Sequence, residues 1–282
     1  MSRAALAGAG SICGLQSHSH AAEPPPETTK LRLAHSPAIC VAPNYIAEEL
    51  LPGEGFTDVR YVRTGGGVAT MKAVASGQVD LSMLFSGPSL IQIDAGDPIV
   101  ILAGVHVGCF ELFVSDRVRS IRDLKGKTAA VIGLGTSPHV FLASMVSYVG
   151  LDPRKDIHWV THPAAESMRL LSEGKIDAFM AFPPEPQELR AKKIGHVVVN
   201  SMMDRPWSQY FCCMVAANKE FIRKHPAATK RALRAILRAT DITAREPERV
   251  ARFLVERGYT KNYDYALQSM KEIPYGMWRQ YD

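Results

Sequence analysis

The chain has 282 residues, 46% of them apolar and 22% charged, with a formal net charge of +5. That length holds two domains of ordinary size, each with enough apolar content for a core. The charge is mild, no Lys/Arg tract or aromatic-basic alternation occurs, and no apolar run reaches transmembrane length, so nucleic-acid binding and a membrane span are set aside.

Arg3 precedes a weak apolar run over 4–15, and Ser19-His20-Ala21 fits a small-x-small cleavage site. Residues 1–22 therefore read as a processing segment for export, and Glu23-Pro24-Pro25-Pro26-Glu27 begins an extended linker over 23–29. Strands are then expected over 30–35, 57–63 and 79–84, with a helix over 37–51 and another starting at Val68 after the Gly65-Gly66-Gly67 turn. Ser86-Gly87-Pro88 opens the next helix. The apolar run 99–105 reads as a strand buried on both faces. A crossing strand at 109–115 and a helical turn at 121–127 follow. Strands over 128–132, 157–160 and 176–181 then alternate with helices over 138–149 and 165–173. After a helix at 185–193 and strands at 196–200 and 210–217, the remainder is helical. The helix from Pro226 carries Leu233, Ile236 and Leu237 on one face and a basic face of Lys230, Arg231, Arg234 and Arg238, expected to be solvated.

One stretch occurs twice. Met71 to Met83 matches Met168 to Met180 at an offset of 97 residues, pairing Gly77 with Gly174 and Asp80 with Asp177. Each copy reads as a helix ended by a left-handed Gly, then an Asp tying the turn through its own backbone, then a buried strand. With the flanking elements, a β-α-β-α-β unit of about 50 residues repeats. The fold class is α/β: two lobes, each a mostly parallel sheet flanked by helices, with a cleft between them. Ligands of such sheets bind beyond the carboxyl ends of the strands.

No Walker loop, nucleophile elbow, helical His pair or Cys-x-x-Cys is present, so neither a catalytic site, a metal nor a cofactor is expected. Cys13, Cys40, Cys109, Cys212 and Cys213 lack metal-ligand spacing and read as buried thiols. Cys212 and Cys213, adjacent on a strand, should face opposite ways. One disulfide among Cys40, Cys109 and Cys212 or Cys213 stays open for an exported protein. The remaining candidates are loops that follow strands and open helices, where unpaired N–H groups hold anions. They are Ser36, the Thr64-Gly65-Gly66 turn, Phe85-Ser86-Gly87, Gly135-Thr136-Ser137, and Pro183 with Glu185, the second-unit partners of the Ser86 loop. Phe85, Phe182, Trp207 and Tyr210 are the aromatics near the cleft. Core packing should claim at least two of them, and Trp207, flanked by polar residues, completes the candidate set.

Several motifs then carry a resemblance: 75–81 (ASGQVDL), 121–127 (IRDLKGK), Gly135-Thr136-Ser137-Pro138, 173–178 (EGKIDA), and Asn218-Lys219-Glu220-Phe221 with Lys224-His225-Pro226. In this order the chain resembles the type II periplasmic substrate-binding proteins of ABC importers, in the branch of nitrate, sulfonate and taurine binders and thiamine-pyrimidine-synthase-like proteins. The likeness spans roughly 30–275. It implies a discontinuous first lobe (30–110 plus 212–282), a second lobe (111–211) and hinge strands at 109–114 and 211–217. It also implies a monomer in the periplasm that closes on a small anionic or heterocyclic ligand and docks on an inner-membrane ABC permease. The related enzyme places a Lys and a His where this chain has Leu84 and Pro88, so catalysis is not implied here. Members of this family usually continue past the position of Asp282.

Overall fold

The structure, a computed structural model, describes residues 23–36 and 38–280. The expected processing segment 1–22, with Cys13, lies outside the described residues, as does Pro37. The first unit comprises β1 (Lys30–His35), α1 (Ala42–Ile46), β2 (Asp58–Arg63), α2 (Gly67–Ala75) and β3 (Leu81–Phe85). After α3 (Ser86–Asp94) and β4 (Ile99–Val107) the chain crosses to β5 (Glu111–Val114). The second unit is β6 (Lys127–Val131), α4 (Ser137–Tyr148), β7 (Ile157–Thr161), α5 (Ala164–Ser172) and β8 (Ala178–Ala181). Next come α6 (Glu185–Lys192) and β9 (His196–Asn200), and the chain returns as β10 (Phe211–Asn218). Helices α7 (Lys219–Lys224), α8 (Pro226–Arg245), α9 (Pro247–Glu256) and α10 (Tyr263–Glu272) follow.

The α/β class with two helix-flanked lobes holds, and the sheets are mixed. One lobe has β1 parallel to β2, and β10 antiparallel between β3 and β4. The other has the order β7-β6-β8-β5-β9, with β6 parallel to β7 and β8 and β5 antiparallel to its neighbours. The strands that enter from the opposite lobe, β5 and β10, are the ones that run antiparallel. Ser201 ties the two crossing segments together. Its hydroxyl accepts from the N–H groups of Cys109 (3.2 Å) and Phe110 (2.9 Å) and donates to the Phe110 carbonyl (2.8 Å).

The repeated stretch builds the same device in both lobes. Gly77 (φ +73°) and Gly174 (φ +66°) end their helices in the left-handed conformation. The Asp that follows does not close its own turn. The Asp80 carboxylate accepts from the Arg32 N–H in β1 (2.7 Å) and pairs with the Arg32 guanidinium. The Asp177 carboxylate accepts from the Thr128 N–H in β6 (3.0 Å) and pairs with Arg117. Each Asp N–H also donates to the carbonyl of the same strand residue, Arg32 or Thr128, at 2.9 Å. In the first unit side chains extend this junction. Ala34 N–H donates to Ser82 Oγ, Ser82 donates to Asn44 Oδ1, and Asn44 Nδ2 donates to the Ala34 carbonyl.

Three other expectations change. The helix over 37–51 is broken into a 3-10 turn (Ile39–Val41), α1 and a second 3-10 turn (Ala47–Glu49), because Pro43 has no N–H to continue the ladder. β4 is the edge of its sheet, so its centre is half-buried rather than covered on both faces. The basic face of α8 is not merely solvated. Arg234 forms a bidentate pair with Glu54 and reaches Glu23, while Arg231 donates to the Pro24 and Glu23 carbonyls, and these bonds hold the 23–27 stretch on the helix.

Asp80 and Asp177 are both buried, and each satisfies a backbone donor of the neighbouring strand. Removing the acceptor strands that donor, at about 1–3 kcal/mol. Asp80→Ala and Asp177→Ala should each lower urea-unfolding stability by that amount, and the double variant by close to the sum, because the sites share no partner. A change below about 0.5 kcal/mol in either would contradict this role.

Candidate functional site

β3 runs from the Asp80 anchor to Phe85, and α3 begins at the next residue. In the other lobe α4 begins at Ser137, after the 133–136 loop. Neither helix start has a side-chain cap: Phe85 has no such group, and the Thr136 hydroxyl donates instead to the Gly133 carbonyl (2.6 Å). Their first N–H groups are left for another acceptor. The two starts lie against each other, and a Cβ at Gly87 would come within 3.1 Å of Val140 in the first turn of α4.

Both helix starts border one small cleft. Phe85, Phe110, Phe141, Trp207 and Tyr210 supply its walls. Ser86, Ser137, Ser144, Ser201 and Cys212 supply its polar atoms, and no Lys, Arg, His, Asp or Glu is among the described residues lining it. The rings form a chain: Phe85 to Phe110 is 5.8 Å, Phe110 to Phe141 5.3 Å, and Phe141 to Trp207 5.8 Å edge-on. Tyr210, 64% exposed, stands at the lip. The Trp207 turn is set by Asp204, whose carboxylate accepts from Asn200 N–H and whose carbonyl accepts from Ser208 N–H.

Of the candidates from sequence, Phe85, Ser86, Gly87, Ser137 and Trp207 line this cleft together. The others lie outside that lining. Ser36 is bonded through its backbone to the Tyr45 hydroxyl, and the Thr64 hydroxyl is bonded to Thr70 (2.6 Å). Gly65 and Gly66 shape the turn into α2, which meets the other loop where Gly67 faces Thr136 and Gly135 faces Val68. Pro183 is buried just before α6, and Phe182 packs behind Phe85 and Phe110. Leu84 and Pro88 are both buried. Phe110, Phe141 and Ser201 were not singled out from sequence. Phe110 and Ser201 sit in the crossing segments, and Phe141 lies one turn into α4, a position that apolar periodicity alone assigns to packing.

The cysteines match expectation in their burial. Cys40, Cys109, Cys212 and Cys213 are buried free thiols. Register slips flank Cys213 in β10, which interrupts the strict alternation expected of Cys212 and Cys213. Cys212 Sγ lies 3.1 Å from Cys109 Sγ.

Glu185 opens α6, its N–H bonded to the Phe182 carbonyl (3.0 Å). Its Oε2 is buried without a hydrogen-bond partner, and burial raises the carboxyl to about 8.

A sequence model of the NMT1-like family matches residues 24–254. The bicarbonate-binding protein CmpA of Synechococcus elongatus is 30% identical over 90 residues, which are 32% of this chain and 20% of that protein. The taurine-binding periplasmic protein of Escherichia coli is 24% identical over 215 residues, which are 73% of this chain and 66% of that protein. These matches thus span less than two thirds of each relative's length. The alkanesulfonate-binding protein SsuA of Xanthomonas axonopodis pv. citri, solved bound to MOPS, superposes with a TM-score of 0.71 at 19% identity, covering 90% of this chain and 86% of that one. The two share a fold.

The raised carboxyl of Glu185 has a stability consequence. Folding favours its protonated form, so its contribution is full below the ordinary value of 4.5 and is lost as pH rises through about 8. Thermal unfolding across that window should show the wild type losing stability relative to Glu185→Gln, with the two profiles diverging as pH rises. Parallel profiles would remove Glu185 as a buried acid.

Proposed function

The chain belongs to the NMT1-like family, and we propose that it is the substrate-binding component of an ABC-type importer for a small organic anion. The observation that carries this reading is the meeting of two uncapped helix starts, one from each lobe, in a single aromatic-walled cleft. Unpaired N–H groups and the positive ends of two helix dipoles attract an anionic head. The serines at 86, 137, 144 and 201 add hydroxyl donors. With no cationic side chain lining the cleft, the head is held by dipoles and hydroxyls. That suits a singly charged sulfonate or carboxylate better than a multiply charged ion. The aromatic walls suit an apolar body of several heavy atoms better than bare nitrate or bicarbonate.

The mechanism is closure. Segments 30–110 plus 212–282 and 111–211 move as bodies about the crossing segments, and ligand contacts made by both lobes favour the closed state. The taurine and alkanesulfonate named for two of the relatives support this ligand class, whereas the bicarbonate named for CmpA shares only the single anionic charge. The protein works as an exported periplasmic monomer and presents its closed form to an inner-membrane permease. Among the described residues no helix is long and apolar enough to cross a membrane.

A thermal-shift screen of alkyl and aryl sulfonates and carboxylates should find a ligand that raises Tm. Trp207→Ala should weaken its binding about 10-fold, the effect of ~1.4 kcal/mol of lost aromatic contact. Ser86→Asp places a carboxylate at the start of α3, where the dipole stabilises it. That variant should keep or raise the ligand-free Tm and abolish the ligand shift. An unchanged shift in Ser86→Asp would place the anion elsewhere.

A further inference from the structure

We propose that Cys40, His106 and Cys213 form a binding site for a thiophilic divalent cation of the zinc class. One donor atom from each lies within 4.8 Å of the other two, and all three residues are buried. Tetrahedral zinc, with Zn–S near 2.3 Å and Zn–N near 2.0 Å, holds its donors roughly 3.5–3.8 Å apart. The three donors therefore need only a small inward movement to make one face of that tetrahedron.

His106 gives the independent sign. Its Nδ1 lies 3.0 Å from the Gly108 carbonyl and 3.3 Å from the Val107 carbonyl, so Nδ1 carries the hydrogen. Nε2 is left with its lone pair, fully buried and without a hydrogen-bond partner. A metal-ligating imidazole shows this arrangement: one nitrogen fixed on a carbonyl, the other free to coordinate. Buried free cysteines alone are ordinary small hydrophobes, whereas a buried ring nitrogen with nothing to accept from is rare.

The backbone is organised to bring the set together. Cys213 is the cross-strand partner of His106 in the β10–β4 ladder, with register slips on either side of Cys213. Cys40 comes from the 3-10 turn after β1, and its carbonyl accepts from the Tyr275 hydroxyl (2.8 Å). The Tyr275 ring stands edge-on to His106 at 5.2 Å. Cys109 and Cys212, whose sulfurs are 3.1 Å apart, belong to the same buried core.

The charge also balances. Two thiolates and a neutral imidazole around a dication leave no net charge, the condition under which a buried ionic site is tolerated. Binding releases two thiol protons per cation, and a site this enclosed loads as the chain folds. None of this depends on what the cleft binds.

The test is refolding of the full reduced chain with zinc or cobalt, followed by desalting. One zinc per chain should remain. The cobalt form should show thiolate-to-cobalt charge-transfer absorption in the near ultraviolet and tetrahedral d–d bands in the visible. Cys40→Ser, Cys213→Ser and His106→Gln should each remove the d–d bands or shift them to weaker, non-tetrahedral absorption, while Cys13→Ser leaves them unchanged. Absence of both retained zinc and the cobalt bands in the wild type overturns the site. Bands that persist in the Cys40→Ser, Cys213→Ser double variant overturn it equally, by placing the metal on other ligands. The wild-type result decides even where a variant folds poorly.

Discussion

Two carboxylates set the frame on which the cleft depends. Asp80 and Asp177 each grip the backbone of the strand beside them at the point where the third strand of a unit starts. A strand's side chains alternate between faces, so a slip of one residue would reverse them all. By pinning Arg32 to Asp80 and Thr128 to Asp177, the carboxylates fix where β3 and β8 begin and therefore where they end. The ends matter because α3 follows β3 without a linking residue. The position of its exposed N–H groups is inherited from a hydrogen bond at the far end of β3.

In the proposed reading, the cleft built on that frame would hold an anion without a countercharge. Helix dipoles act over short range and are screened by water. They become strong anion holders only where water is excluded, which the Phe85, Phe110, Phe141 and Trp207 walls would accomplish in the proposed closed form. Fixed dipoles also impose no buried ion on the ligand-free protein, as a lysine in the same wall would. The aromatic walls and the missing cations thus belong to one solution. Together they fit the proposed ligand, with one charged end and one apolar end.

Much of this was legible in the sequence, and the parts that were not share a cause. Local patterns revealed the repeat, the helix starts at Ser86 and Ser137, and the left-handed Gly77 and Gly174, because each depends on neighbours in the chain. Ser36 and Thr64 fit the same pattern, but Tyr45 and Thr70 take up their hydrogen bonds. A local motif does not show whether its polar groups are already satisfied. The Arg231 and Arg234 pairing with residues 23–54 and the fate of β4 as an edge strand depend on contacts between distant segments. Pro43, by contrast, was a visible reason to break the first helix.

The cysteines carry the same lesson further, since Cys40, His106 and Cys213 have no spacing that a sequence motif would register. Their placement also bears on closure. Cys40 follows β1, His106 is in β4 and Cys213 is in β10, all strands on the same side of the crossing segments. A cation held there would stiffen the root of one lobe without linking it to the other. The Cys109–Cys212 contact differs, because Cys109 lies in the crossing segment itself and Cys212 also lines the cleft. On the two proposals together, rigidity and movement would be divided between neighbouring residues: the inner set would brace the sheet, and the outer pair lies in the segments about which the lobes are proposed to turn.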